Sequence, residues 1–163
     1  MQISLKKTFE RGLSILALFF PFIEVTFYFG HKVFLSTDSL VLRNFYLTHL
    51  SQITTFYTQN VYVIFILMVG VFLACSRGTL PLSYFARFHV IQAILINIIY
   101  SCIGSIYTYL PIVLRESHIG VLVANFLYLG FILIVFYSSL LIFYGKFSII
   151  PVISEAAKLQ IQR

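Results

Sequence analysis

Five residues carry the polar chemistry that stands out from this chain: Glu24, Arg87, Gln92, Asn97 and Ser101. A carboxyl such as Glu24 can hold a proton, attract a cation or accept hydrogen bonds. Amides and hydroxyls such as Gln92, Asn97 and Ser101 can bind a backbone or join helices. Their surroundings are what make them unusual. Arg87 stands at the mouth of the run Tyr84 to Ile99, and Gln92 and Asn97 sit inside it among Ile, Val, Leu and Ala. In a soluble domain this would be a core helix that had swallowed polar groups. In a bilayer it is a spanning helix whose arginine anchors at the headgroups while two amides seek partners at depth.

Catalysis finds no support in the motifs. There is no His-Glu-x-x-His, no Gly-x-Ser-x-Gly elbow and no glycine-rich phosphate loop, and no enzyme activity or cofactor is expected. His31, His49, His89 and His118 are far apart in the chain. His89, close to Arg87, is expected to be a surface histidine at the membrane interface. Cys75 and Cys102 form no C-x-x-C pair, so neither a disulfide nor a metal site is expected.

The elements that position these residues follow from composition. Of 163 residues, 60% are hydrophobic and 10% charged, and mean hydropathy is +0.98. Ordinary domains are about 25% charged, so this chain lacks the polar residues to clothe a globule in water. A hydrocarbon core of ~30 Å needs about 20 mostly apolar residues per helix. The apolar runs give four such spans, at about 12–34, 57–76, 87–109 and 119–144. The fold class is therefore all-α, a polytopic membrane protein with about four transmembrane helices, and residues 1–163 form a single membrane-embedded domain. Residues 36–58 are the longest polar stretch, with Asp38, Arg43, Asn44, His49 and Gln52. They predict a loop with an interfacial helix. A short helix is expected over 152–163, capped by Ser154.

The first apolar run is too long for a signal peptide and is followed by no small-residue cleavage site. Only a short basic start precedes it, so no transit segment is expected. Pro21 should kink the first span and free a carbonyl one turn earlier.

Net charge is +6, and its placement gives orientation. In a four-span arrangement Lys6, Lys7, Arg11, Arg77, Arg87, Lys146, Lys158 and Arg163 share one side, leaving Lys32, Arg43 and Arg115 on the other. The positive-inside rule then puts both termini on the side where the protein is made. Basic residues scattered in ones and twos at helix ends make nucleic acid a poor partner.

Glu24 falls near mid-bilayer, where a carboxyl costs on the order of 3 kcal/mol to insert. It either pairs with an amide such as Gln92 or Asn97 to lock helices together, or lines a polar path. Ala93, Asn97, Ser101 and Ser105 recur at steps of four on one face of the third span. Such a stripe lets a neighbouring backbone approach, or gives a hydrophilic lining to a passing polypeptide or solute.

Three stretches are similar to a known family. Phe85-Ala-Arg87-Phe88-His89-Val-Ile-Gln92-Ala93-Ile-Leu95 resembles the aromatic-x-Arg-Phe-Asn-x-x-Gln-Ala-x-Leu signature of the Tic-twenty (Tic20) family. Phe20-Pro21-Phe-Ile-Glu24 with Gly30 resembles its Leu-Pro-x-x-(Glu/Asp)-Gly region. Gly145-Lys146 and Ile150-Pro151-Val-Ile153-Ser154-Glu155-Ala156-Ala157 are close to its C-terminal pattern. His89 stands where the family usually has Asn, and Asn97 where it often has Asp.

The resemblance implies a multi-pass subunit of the protein-import translocon in the inner envelope membrane of the plastid (chloroplast), with plastid-encoded and cyanobacterial relatives. Its partners would be other translocon subunits, preproteins in transit and the lipid bilayer. Glu24, Arg87, Gln92, Asn97 and Ser101 are the candidate path or helix-packing residues. The alternatives are a small ion or solute carrier or channel subunit, for which Glu24 would be the charge at depth, and a purely scaffolding subunit.

Overall fold

A computed structural model describes residues 2–36 and 39–161, the side chains of 2–5 excepted. Asp38 and Arg163 lie outside the described residues, as does the end of the helix expected at 152–163. The described residues hold helices and no strand. Helix α1 covers 2–35 in four consecutive pieces, Gln2–Ala17, Phe19–Val25, Thr26–Gly30 and His31–Leu35. Then come α2 (Leu40–Gln59), α3 (Val61–Arg77), α4 (Tyr84–Tyr109), α5 (Ile112–Arg115), α6 (His118–Phe143) and α7 (Ile153–Ile161).

Among the described residues three helices are long and apolar enough to cross a bilayer: Lys6–Leu35 within α1, α4 and α6. A fourth crossing exists if α2 and α3, which meet at an 80° bend, are taken together as one broken span. The sequence puts the start of the second span at residue 57. The structure instead breaks at Asn60, whose φ of −117° and ψ of 19° are not helical. The Asn60 side chain donates to the Phe56 carbonyl at 2.9 Å, occupying an acceptor that the break exposes.

The expected loop at 36–58 is helical throughout Leu40–Gln59. Tyr46, Leu50, Thr54 and Tyr57 are buried at helical spacing, and Tyr46 stacks on Phe34 of α1 with ring centres 5.4 Å apart. The opposite face carries Leu40, Val41, Phe45 and Phe56, also apolar and exposed. Arg43, Asn44, Thr48, His49 and Gln52 are exposed among them, and this mixture blurs the periodicity that would mark the helix in a sequence.

Helix α4 is the central strut. Its most apolar stretch is 56% buried, against 22% for that of α6. Val25 and Phe29 of α1, Ile96 and Tyr100 of α4, and Ala124 and Phe131 of α6 meet in the largest core cluster. Pro21 has no N–H for the Ala17 carbonyl, and the helix of α1 is interrupted by a turn at Leu18. A second irregularity follows Glu24, where Thr26–Gly30 widens into a π-turn. The Thr26 hydroxyl donates to the Phe22 carbonyl at 2.7 Å within that stretch.

Polar residues at one end tie the helices by their termini. Glu10 of α1 accepts from the Ser83 N–H at 3.1 Å and from its hydroxyl at 2.6 Å, placing a carboxylate at the N-terminus of α4. Its neighbour Arg11 donates to the Phe143 carbonyl at the C-terminus of α6, at 3.1 Å. Each charge has the sign that its helix end favours. Ser76 donates to the Gln160 carbonyl at 2.7 Å, bringing the ends of α3 and α7 together. The N-terminal part of α1, the 77–84 turn and α7 thus gather at one end. At the other end Lys32 forms an ion pair with Glu116.

Candidate functional site

The polar stripe on α4 faces α1. Ala93 packs with Leu18, Ser101 donates to Glu24, and Ser105 bonds the Tyr28 hydroxyl at 3.1 Å. The Tyr28 ring lies against Gly104, in space that any side chain there would occupy. The stripe is therefore largely a helix-packing seam.

Glu24 is 5% exposed. Its carboxylate accepts hydrogen bonds from the hydroxyls of Tyr57 and Ser101. The expected amide pairing with Gln92 or Asn97 is not what occurs; hydroxyls fill both oxygens. Tyr57 is the functional residue that the sequence reading missed. It lies on α2, 33 positions from Glu24. Asn97 lies beside Tyr57 and is 2% exposed, yet its Oδ1 has no hydrogen-bond partner.

These groups floor a crevice of about 450 Å³ between α3 and α4. Its walls are apolar, with Val61, Phe65 and Met68 from α3 and Ile94, Ile98 and Cys102 from α4. A drier cavity of about 240 Å³ lies on the other flank of α3, and Met68 borders both. A break in a helix at membrane depth, next to a polar-floored cavity, is how membrane proteins admit irregular backbone without exposing it to lipid.

Gln92 is elsewhere. Its Nε2 donates to the Ser148 carbonyl at 3.1 Å and to the Ser154 hydroxyl at 3.0 Å, while Ser148 Oγ donates to its Oε1 at 2.7 Å. Ser154 Oγ also accepts the Ile150 N–H at 2.7 Å. One buried amide thus clamps the segment leading into α7. The clamp holds a costly turn, since Val152, a β-branched residue, adopts φ +67°.

His89 is 1% exposed, not at the surface as expected. Residues two apart on a helix point about 200° apart, so Arg87 turns toward α3 while His89 faces the segment around Ser148. With the Ser148 proton given to Gln92, the imidazole meets Ser148 Oγ through an Nδ1–H at 3.4 Å, and its Nε2 has no partner.

Arg87 reaches back to α3. It donates to the Cys75 carbonyl at 3.4 Å, beside the end of α3 where Gly78 adopts φ +69°. A Cβ on Gly78 would stand 2.8 Å from the guanidinium, so glycine serves both the turn and this approach.

Of the three stretches that carry the family likeness, two bond each other directly and the third bonds α4 beyond its signature. Gln92 of the α4 signature bonds Ser154 of the C-terminal pattern, and Glu24 of the first-span pattern bonds Ser101 on α4. Over 150 residues the chain is 33% identical to the Tic20 family protein Ycf60 of Cyanidium caldarium, spanning 92% of this chain and 72% of that relative. The chain belongs to the Tic20 family. The Tic20 family protein Ycf60 of Gracilaria tenuistipitata var. liui is 30% identical over 155 residues, with 93% and 75% covered. The Tic20 family protein of Synechocystis sp. (strain ATCC 27184 / PCC 6803 / Kazusa) is 32% identical over 154 residues, 94% of this chain and 93% of the relative. No protein-family profile matches the chain, and no solved structure does. Among the described residues no group of three or more His, Cys, Asp or Glu could hold a metal.

Proposed function

We propose that this chain is a membrane subunit of the protein-import translocon of the plastid inner envelope, contributing to the preprotein path or its assembly. Membership of the Tic20 family supports the translocon. The observation that carries a role at the path is the polar floor that Glu24, Tyr57, Asn97 and Ser101 give to an otherwise apolar crevice between α3 and α4. Within the proposal the five sequence candidates divide. Glu24, Asn97 and Ser101 belong to the crevice, whereas Gln92 and Arg87 hold α7 and α3 in place. Carriage of an ion or solute is the weaker reading, because both Glu24 oxygens already accept hydroxyl protons.

A precursor stalled halfway across the membrane provides the test. Photo-crosslinkers replacing Asn97 and Ser101 should capture it, and one replacing Phe126 on the exposed face of α6 should not. Capture of neighbouring subunits alone would reduce the protein to a scaffold. Intact import after depletion, with altered flux of a solute, would replace this proposal with a carrier.

A further inference from the structure

We infer that Glu24 is a proton-binding site reached from one side of the membrane only, the side of Lys32 and Glu116, along a ladder of hydroxyls between α1 and α4. The inference goes beyond the import reading and does not depend on it. Three observations carry it.

The first is continuity. At the Lys32–Glu116 end lies a cleft of about 220 Å³, lined by those two residues, His31, Thr108, Arg115 and Tyr28 among others. Tyr28 also lines the crevice that holds Glu24. One side chain thus borders both spaces. Its hydroxyl bonds Ser105 Oγ at 3.1 Å, and Ser101, one turn deeper on α4, donates to Glu24. Thr108, Ser105 and Ser101 stand at steps of three and four on one face of α4. They carry hydroxyls over about 10 Å of helix rise, from the cleft to the carboxylate.

The second is chemistry. A hydroxyl both donates and accepts, so it hands a proton on by taking one at its oxygen and releasing its own. Neighbours at i and i+4 have Cβ atoms ~5–6 Å apart, a gap that one water bridges. The cleft is polar and roomy enough for water to enter the ladder. A hydronium there gives up its proton and becomes water, each hydroxyl passes one on, and an O–H bond forms on a Glu24 oxygen. That oxygen then donates to a neighbouring hydroxyl where it had accepted. The charges along the route are Lys32, Arg115 and Glu116, with His31 beside them. Around Glu24 the titratable groups are Tyr57 of α2, Tyr28 of α1, Cys102 of α4 and, beyond Thr26, Tyr128 of α6. Helix α3 brings only apolar side chains, so Glu24 alone sets the charge of the crevice.

The third is the seal on the other side. Toward the opposite end Leu18 of α1, Ala93 of α4 and Ile142 of α6 pack together, all buried. The cavity on that flank, about 240 Å³, is lined by apolar side chains and Cys75. Gln92 and His89, the polar groups of α4 nearest that end, turn to Ser148 and offer Glu24 nothing. A proton therefore enters and leaves by the same route. Glu24 binds it without carrying it across, and the crevice floor is charged or neutral according to the pH on the Lys32–Glu116 side.

The test uses the full chain inserted in one orientation in phosphatidylcholine vesicles, with the protonated-carboxyl infrared band as readout. Glu24→Gln isolates the Glu24 part of that band by difference. Acidifying the Lys32–Glu116 side should raise it at least fivefold faster than acidifying the opposite side. Tyr28→Phe keeps the ring and removes the hydroxyl. It should slow the response from the Lys32–Glu116 side at least fivefold and leave the final amplitude unchanged, which a merely structural role would not do. A second measurement needs no titration. In a background lacking Cys75 and Cys102, Ser105→Cys should react with a membrane-impermeant methanethiosulfonate at least fivefold faster from the Lys32–Glu116 side, and Leu18→Cys should react from neither.

A Glu24 band that rises equally fast from both sides would overturn the inference. So would the lack of any Glu24 band over the pH range in which the protein stays folded. Tyr28→Phe responding as fast as the parent, or Ser105→Cys reacting equally from both sides, would remove the ladder. Each of these results leaves the import reading standing, because none of them involves a precursor.

Discussion

Replacing Glu24 with Leu removes the acceptor of two hydroxyl protons, from Tyr57 and Ser101, and leaves Tyr57 buried at 5% exposure without that partner. Side-chain hydrogen bonds between membrane helices average ~0.6 kcal/mol and reach ~1.7. Two of them put the loss at roughly 1–3 kcal/mol. The cost of placing a carboxyl in the bilayer does not offset this when the unfolded reference keeps its helices inserted, because that cost is present in both states. Unfolding of the full chain in mixed micelles by added sodium dodecyl sulfate meets this condition. Glu24→Gln should lose less than either bond is worth, since its amide can accept from one hydroxyl and donate to the oxygen of the other. Tyr57→Phe should cost about 0.6 kcal/mol in the parent and almost nothing in Glu24→Leu. A double-mutant cycle with zero coupling, or a Glu24→Leu protein as stable as its parent, would refute the assignment of Tyr57 and Glu24 as a pair.

Gln92→Leu removes three hydrogen bonds to Ser148 and Ser154, worth roughly 2 kcal/mol together. Trypsin cleavage at the exposed Lys158 should accelerate by about tenfold or more, while the cut at Arg77 is unchanged. The Lys32 hydrogen bond holds the Glu116 carboxyl below the ordinary carboxylate value. The pair therefore favours the folded state above that ordinary value and stops doing so as pH falls through the lowered one. A Lys32→Met variant should show the Glu116 carboxyl resonance titrating at higher pH than in the parent. In a background lacking Cys75 and Cys102, cysteines at Lys7 and Lys158 should be labelled from one side of the membrane and one at Glu116 from the other. Labelling of Lys7 and Lys158 from opposite sides would remove the broken-span reading of α2 and α3.

The long helices were legible because hydrocarbon demands continuous apolar runs, and α1, α4 and α6 supply them at 30, 26 and 26 residues. Helix α2 was legible only as an interfacial helix within a loop, because its exposed positions mix Phe45 and Phe56 with Arg43, His49 and Gln52 and leave no clean stripe. The seam of Ala93, Asn97, Ser101 and Ser105 could be read from its spacing, since i and i+4 share a face wherever the helix lies. What the seam touches could not. Ser101 and Glu24 are 77 positions apart, and Tyr57 reaches Glu24 from a third helix. The misplacement of His89 had a local cause. Its nearness to Arg87 in the chain suggested a shared environment, but the turn of the helix sends the two side chains in nearly opposite directions.

Polar groups inside a membrane protein are expensive, so how each one is satisfied indicates what it does. At the gathered end Glu10 and Arg11 are spent on helix termini, where partial charges await them. At depth Gln92 is satisfied by a carbonyl and two hydroxyls, and this fixes the segment before α7. Glu24 is satisfied by hydroxyls from two helices, joining the break between α2 and α3 to the core. Asn97 Oδ1 departs from this pattern, as do Arg87 Nε, His89 Nε2 and Ser138 Oγ, and of these four residues Asn97 alone lines the crevice. A buried amide oxygen with no partner costs roughly 1–3 kcal/mol, and a leucine in its place would pack the floor of the crevice without that cost. Its place is beside Tyr57, between the α1–α4 seam and the break before α3. The neighbouring wall, α3, is fastened at its C-terminal end through Arg87 and Ser76 and at the break before it through Tyr57. The polar groups around Asn97 therefore frame the crevice from both ends, and the one amide oxygen they leave without a partner sits where the frame closes on α4.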